Sequence, residues 1–275
     1  MSTIIDIGVN FSSAKFTNYH STLLEHAYLA YVEAIICISN SRKEWDTNIN
    51  LVKQYSNDKV KLYTTIGIHP HNAQNVTDNT WRELEEYILK NNVVAVGECG
   101  LDYNRMFSPK NVQIATFKKQ IELANKYKKP LYLHERDAGE DMIQILREAK
   151  EKYPDLTGVI HCFTGDKATM QQYLTLGFYI GITGWICDKR RNSELVDAIK
   201  SLPLEQLMIE TDAPWLIPYE YKKKWDTTRS EPDCLDYIIN DIAKYTGFSV
   251  ENIRKTTTAN AKKLFGLQCL KNDLI

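Results

Sequence analysis

Val93-Val94-Ala95-Val96-Gly97-Glu98-Cys99-Gly100 is the stretch on which the fold turns. Four apolar residues in a row, without polar alternation, describe a short strand covered on both faces, as in a parallel sheet flanked by helices. The run stops at a carboxylate bracketed by two glycines, which let the backbone turn sharply at a strand end. A buried strand has no packing use for a charge at its last position. Glu98 is therefore read as placed for chemistry, against the plainer alternative of an acidic residue in a polar loop.

Three other segments repeat the device. Pro130-Leu131-Tyr132-Leu133 ends at His134, Gly158-Val159-Ile160 ends at His161, and Leu207-Met208-Ile209-Glu210-Thr211 ends at Asp212. A lone histidine at such a place is more often a hydrogen-bonded core residue than a ligand. Two at equivalent positions on neighbouring strands favour ligands, since neutral imidazole is a common metal donor. Glu98, His134, His161 and Asp212 together look like a ligand set converging on one hydrolytic metal centre. Cys162 is read as packing and not as a ligand.

Outward from these four, the same pattern fills the chain. Apolar runs fall at Ile4–Val9, Ala34–Ile38, Val60–Ile68, Val93–Val96, Pro130–Leu133, Gly158–Ile160, Phe178–Ile182 and Gln206–Ile209. Helical periods lie between them: Ile114, Phe117, Ile121 and Ala124 make one stripe within Val112–Tyr127, and Leu235, Ile238, Ile239 and Ile242 make another. Ser249 is placed as the N-cap of a closing helix that carries Ile253, Ala261, Leu264 and Phe265. Eight strand–helix alternations predict an α/β fold of the (β/α)₈ TIM-barrel type, a single domain over residues 1–275. An open doubly wound sheet is the runner-up, but Gly8-Val9-Asn10-Phe11 is no phosphate-binding glycine loop. In a barrel, catalytic groups sit at the carboxyl ends of the strands, where all four residues fall.

Further donors stand at other strand ends. Asp6 and Asn10 after the first run can offer oxygens; a carboxylate at position 6 faces the interior and needs an ion or a hydrogen-bond donor. His69 and His71 flank Pro70 after the third run, as ligands or phosphate contacts, with His69 nearer the strand end. Glu210 is read either as orienting a ligand histidine or as the partner of a basic residue. Asp102 and Arg105 are read as a local ion pair. Asp212 can ligate metal, take the proton of the attacking water, or do both, within a loop shaped by Pro214. Cations and rings gather late in the chain: Trp185, Lys189, Arg190 and Arg191, then Trp215, Tyr219, Tyr221, Lys222, Lys223, Lys224, Trp225 and Arg229. Bases stack on rings while phosphates meet Lys and Arg, so this mixture suits a nucleotide strand.

Composition sets the bounds. The chain has 275 residues, 43% of them hydrophobic, enough for a large core, and a formal net charge of −1. With no global positive field, phosphate binding has to come from a local patch. The six cysteines form no C-x-x-C pair, which argues against a disulfide framework or structural zinc site and for reduced, mostly buried thiols. The amino terminus lacks a basic and then apolar leader, and no apolar run approaches a membrane span. A soluble, cytoplasmic monomer is expected.

At this point the chain resembles the TatD family of metal-dependent deoxyribonucleases, among the hydrolases built on TIM barrels. The resemblance runs from Asp6 to about Phe265. It rests on Asp6-Ile7-Gly8-Val9-Asn10, Gly67-Ile68-His69-Pro70-His71, Gly97-Glu98-Cys99-Gly100-Leu101-Asp102, His161-Cys162-Phe163-Thr164-Gly165, Tyr179-Ile180-Gly181-Ile182-Thr183-Gly184, Ile209-Glu210-Thr211-Asp212-Ala213-Pro214 and Arg229-Ser230-Glu231-Pro232. It implies metal binding by Glu98, His134, His161 and Asp212, with His69 near the scissile phosphate. It also implies exonuclease activity on DNA, typically with Mg²⁺, and roles in DNA repair and DNA fragmentation. One departure stands out. Many relatives carry His-x-His on the first strand to hold one metal of a pair, whereas this chain has Gly8 and Asn10 there.

These expectations combine into a metal-activated water cleaving phosphodiesters of DNA, single-stranded or at strand ends, with RNA as a further substrate. One or two divalent ions are expected, Mg²⁺ for activity, with Zn²⁺ or Mn²⁺ also suited to nitrogen and oxygen donors. Asp212 would orient or deprotonate the water, and His69 would meet the phosphate or protonate the leaving oxygen. Arg229, Lys222, Lys223 and Arg190 would hold phosphates; Asp6, Asn10, His71 and Glu210 would support the centre or a second metal. Two other readings keep the residues and change the outcome: hydrolysis of a small ester, amide or lactone, or nucleic-acid binding without turnover.

Overall fold

The computed structural model describes residues 1–267. Eight strands follow one another around a parallel sheet in chain order: β1 (Ile4–Val9), β2 (Val32–Cys37), β3 (Lys61–Ile66), β4 (Val93–Asp102), β5 (Leu131–Arg136), β6 (Gly158–Ile160), β7 (Tyr179–Ile182) and β8 (Leu207–Ile209). The principal helices are α1 (His20–Leu29), α2 (Arg42–Tyr55), α3 (Asp78–Ile88), α4 (Lys110–Tyr127), α5 (Gly139–Lys152), α6 (Lys167–Thr175), α7 (Ser193–Ile199), α8 (Tyr219–Trp225), α9 (Leu235–Thr246) and α10 (Val250–Phe265). At the seam, Val9 bridges Ala213 in parallel, Asp212 N donates to Gly8 O (2.9 Å) and Asn10 N donates to Ala213 O (2.7 Å). The sheet closes on itself, which excludes the open doubly wound alternative and gives the expected (β/α)₈ barrel.

Burial explains the lack of alternation. Every residue of β1, β2 and β4 is buried, because one face meets the helices and the other fills the barrel. Ile4, Ile35 and Cys37 pack with the outer core, whereas Ile5, Ile7, Ala34 and Ile36 join Tyr132, Val159 and Met208 inside. Ala261, Leu264 and Phe265 of α10 belong to that inner cluster. This helix covers the amino-terminal end: Arg254 Nε donates to Ser2 O (2.8 Å), Thr258 Oγ1 to Thr3 O (2.9 Å) and Asn260 Nδ2 to Leu207 O (2.8 Å). The opposite end, where the strands finish, is left for chemistry. Ser249 caps α10 as expected, its hydroxyl accepting from Asn252 N at 3.2 Å.

Two boundaries differ from the sequence reading in a way that matters. β4 does not stop at Val96 but runs on to Asp102, and β5 runs on to Arg136, so Glu98 and His134 lie inside strands and not just past them. The five described cysteines are all free, three of them buried. Cys269, also read as a reduced thiol, lies outside the described residues. Among the described residues no helix is long and apolar enough to cross a membrane.

Candidate metal centre

Glu98 is brought to the histidines by the close approach of β4 and β5. Gly97 and Gly100 have φ of 144° and 136°, a region that suits glycine and strains other residues. A Cβ at Gly97 would sit 2.1 Å from Tyr132 O, and one at Gly100 would sit 2.0 Å from His134 O. These glycines therefore do not end the strand; they let it press against its neighbour. Gly100 pairs in register with His134 and Asp102 with Arg136. Side chains alternate along a strand, so Glu98 and Asp102 leave the same face.

Three imidazoles surround one carboxylate oxygen. Glu98 Oε1 lies 2.9 Å from His161 Nε2, 3.1 Å from His134 Nδ1 and 3.5 Å from His69 Nε2. Among the described residues, His69, Glu98 and His134 form a group whose potential ligand atoms all fall within 4.8 Å of one another. Asp212 approaches from the other side of the seam, with φ of 52°, its Oδ1 accepting from Asn10 Nδ2 at 2.8 Å. It is outside the 4.8 Å group, yet close enough to feel the charges of His161 and Glu98.

The imidazoles differ in what they can do. His69 Nδ1 accepts from His71 N (3.1 Å), so the proton of the neutral ring sits on Nε2, facing Glu98. Burial pushes His69 down to about 3, which keeps it neutral and makes it a hydrogen-bond donor to the centre. His134 is held from both ends, by Glu98 and by Asp102 Oδ2 (3.1 Å from Nε2); against burial, these carboxylates raise its pKa. His161 is raised well above the usual imidazole value, burial again being outweighed by Glu210 and Glu98. Burial works against the charge on Glu98, but His69, His161 and His134 hold its carboxyl well below the ordinary range. Burial pushes Asp212 up to about 7, against the pull of His161.

The donors fit a divalent cation. One carboxylate oxygen cannot serve three imidazole nitrogens well as a hydrogen-bond acceptor, whereas a cation among them would be a common partner. His161 Nδ1 is buried without a hydrogen-bond partner, 3.4 Å from Glu210 Oε2, the arrangement in which a carboxylate orients a metal-binding imidazole. Nitrogen and oxygen donors without thiolate suit Mg²⁺, Mn²⁺ or Zn²⁺.

The remaining sequence candidates divide. Glu210 is fully buried and has no Lys or Arg partner among the described residues; Oε2 accepts from Tyr132 OH (2.7 Å) and Oε1 from Cys162 N (2.5 Å), beside His161. His71 reaches Asp102 Oδ2 at 2.8 Å instead of the Glu98 oxygen. Asp102 is not the expected ion-pair partner of the Arg105 side chain: its Oδ1 accepts from the backbone N of Asn104 and Arg105, and its Oδ2 faces two imidazoles. Asp6 does not join the cluster as an oxygen donor, since its carboxyl meets Thr211 N (3.0 Å), Thr211 Oγ1 (2.6 Å) and Gly8 N (3.2 Å). Asn10 presents its amide nitrogen, not its oxygen, to Asp212.

The phosphate candidates are mostly engaged elsewhere. Arg190 makes two bonds to Asp188 (2.8 and 2.7 Å). Arg229 bonds Glu231 (3.1 Å), lies 3.7 Å over Tyr19 and faces a groove of about 880 Å³ with Trp225 and Asp233, a groove lined by none of the clustered imidazoles. Lys222 and Lys223 are exposed on α8. Sequence reasoning missed Asp102 and Tyr132 as parts of the centre. The signal for Asp102 is the two-residue alternation from Glu98, which Gly100, a turn signal in the sequence, hides.

Imidazoles and carboxylates gathered at the carboxyl end of a closed parallel barrel define a hydrolase of the metal-dependent TIM-barrel class. The TatD related DNase family model matches residues 5–266, and the chain belongs to that family. It is 37% identical over 264 residues to the 3'-5' ssDNA/RNA exonuclease TatD of Rahnella sp. (strain Y9602), covering 96% of this chain and 98% of the relative. Identity to the enzyme of that name from Escherichia coli (strain K12) is also 37% over 264 residues, with 96% and 99% covered. Among solved structures, a TatD-family hydrolase from Entamoeba histolytica superposes with a TM-score of 0.84 at 29% identity, covering 96% of this chain and 99% of that one. A TatD homologue from Escherichia coli K12 gives 0.86 at 25% identity, with 96% and 98% covered.

Proposed function

We propose that this chain is a metal-dependent exonuclease that hydrolyses phosphodiester bonds of single-stranded DNA and DNA ends, and of RNA, from the 3′ end; the name of its relatives, 3'-5' ssDNA/RNA exonuclease, supports the polarity and the single-stranded substrates. It works as a cytoplasmic monomer, with Mg²⁺ as the activating ion. The observation that carries this is Glu98 Oε1 with three imidazole nitrogens within 3.5 Å at the barrel mouth of a member of this family.

Glu98, His134, His161 and Asp212 would hold the cation; a second, where used, would arrive with the substrate phosphate. When bound, the ion supplies charge neutralisation at the phosphoryl oxygens and acidifies water. Asp212 orients the attacking water and takes its proton, with Asn10 fixing the carboxylate. His69, neutral and carrying its proton on Nε2, gives a hydrogen bond to the scissile phosphate and to the charge that develops on the leaving oxygen, which takes its proton from solvent. Asp102 steadies His134 and His71, and Glu210 steadies His161.

The test is digestion of end-labelled single- and double-stranded DNA and RNA with Mg²⁺, Mn²⁺ or Zn²⁺, sized over time. Products should shorten one nucleotide at a time from the 3′ end, and EDTA should stop the reaction. Glu98→Ala should lower kcat/KM by about 10³-fold or more while the far-UV spectrum stays native. Normal hydrolysis by purified Glu98→Ala would refute the assignment.

A further inference from the structure

We propose that Arg136 holds the substrate phosphate next to the one being cut; the proposal rests on the nuclease reading above. Arg136 is two residues beyond His134 on β5, so both side chains leave the same face of the strand. Its register partner is Asp102, whose carboxylate touches His134. The backbone of Arg136 therefore stands about 7 Å further along the strand than that of His134, the span of two strand residues.

It is held ready there. Nη1 donates to Thr164 Oγ1 at 3.1 Å, three residues after His161 in the next strand's loop. The ring of Trp185, from the loop after β7, lies 5.5 Å away and carries Arg191 at 3.7 Å. Arg136 thus links the loops of β5, β6 and β7 above the cluster. The carboxylate nearest it is Asp137, with an oxygen 3.9 Å from Nε, too far for a good hydrogen bond. One of five guanidinium N–H groups is used by Thr164, and the side chain is 40% exposed. A braced, part-open fork of donors matches the tetrahedral oxygens of a phosphodiester. Arg190 and Arg229 lack this freedom, being closed on Asp188 and Glu231.

The experiment uses the full chain and a 5′-labelled single-stranded DNA oligonucleotide. KM and kcat are measured with Mg²⁺, and binding in EDTA is followed by fluorescence anisotropy across a salt series. Arg136→Gln should raise KM about tenfold or more with kcat within about threefold of wild type, as expected for loss of a binding contact. Its log K against log salt slope should flatten by about 0.7, the increment for one phosphate contact on a single strand. Arg136→Lys should keep the slope while losing part of the affinity, and Thr164→Val, which leaves the charge, should raise KM about threefold at unchanged slope. Unchanged KM and slope in a natively folded Arg136→Gln protein, or a fall in kcat alone, overturns the proposal. If wild type neither cuts nor binds these strands, the nuclease reading fails and this one with it; if wild type is active, the Arg136 result stands by itself.

Discussion

Glu210 occupies the middle of the barrel, where a carboxylate would be costly without partners. It has them on two sides, in Tyr132 OH and Cys162 N, and it borders His161. The ring of Tyr132 also stacks on His161, with centroids 4.9 Å apart and planes at 29°. This pair accounts for the glycine that departs from the His-x-His pattern. A Cβ at position 8 would meet Glu210 Oε2 at 2.3 Å and Tyr132 OH at 2.4 Å, so a larger residue there would displace the ends of the bonded Glu210–Tyr132 pair. Tyr132→Phe keeps the stack and removes the donor. The cost should be about 1.5–3 kcal/mol, the range for a bond to a charged group, read as a lower urea midpoint at unchanged slope. Loosening the group behind His161 should also weaken Mn²⁺ binding about tenfold in calorimetric titration. Affinity equal to wild type would show that Tyr132 only fills space.

At the level of elements, strands declared themselves where the chain repeats a simple cause. β1 and β6 have the predicted limits, those of their apolar runs. β4 outran its prediction because glycine is a turn signal in sequence, whereas here both glycines serve a close strand–strand approach that only the fold reveals. The residue types of the centre were legible, as polar groups at the ends of apolar runs. Tyr132 was not, since its meaning lies in contacts with Glu210 and His161, on elements distant in sequence. The same holds for α4. Its apolar stripe predicted an inward face at Ile114, Phe117, Ile121 and Ala124; the last three are buried and Ile114 is half-buried, and that face also buries Gln113 and Gln120, seven residues apart. Gln120 accepts from Ile68 N (2.8 Å) and donates to Ile68 O (3.0 Å), while Gln113 accepts from Asp102 N and donates to Asp102 O, both at 2.9 Å. One helix thus clamps the backbone beside His69 and the backbone of Asp102. Gln120→Leu leaves a buried N–H and C=O unpaired, at about 1–3 kcal/mol each, so the urea midpoint should fall. Turnover should fall as well, through misplacement of His69. A variant as stable and active as wild type would mean that water replaces the amide.

The barrel closes at a seam where the β1–β8 ladder is short, and Asp6 and Asn10 are side-chain fastenings across it. From β1, Asp6 reaches across to both the amide and the hydroxyl of Thr211, beside the bridge between Val9 and Ala213. Burial pushes Asp6 up to about 8 in spite of these bonds, while an unfolded aspartate titrates near 3.8. The sign follows from proton counting. Between these values the unfolded chain has released a proton that the folded chain retains, so raising the pH favours unfolding. The contribution of neutral Asp6 is complete below about pH 4 and declines through the window up to about 8, with a limiting slope of about 1.4 kcal/mol per pH unit. Above that both states are ionised and the slope vanishes. Asparagine copies the neutral form: its oxygen can accept from Gly8 N and Thr211 N, and its amide can donate to Thr211 Oγ1 along the 2.6 Å line. Asp6→Asn should therefore match wild type near pH 4 and grow steadily more stable than it toward pH 8. Urea unfolding of both proteins at half-unit steps across that range measures the difference directly. A constant difference would mean that Asp6 is ionised in the folded barrel and that the seam is held by charge-assisted bonds.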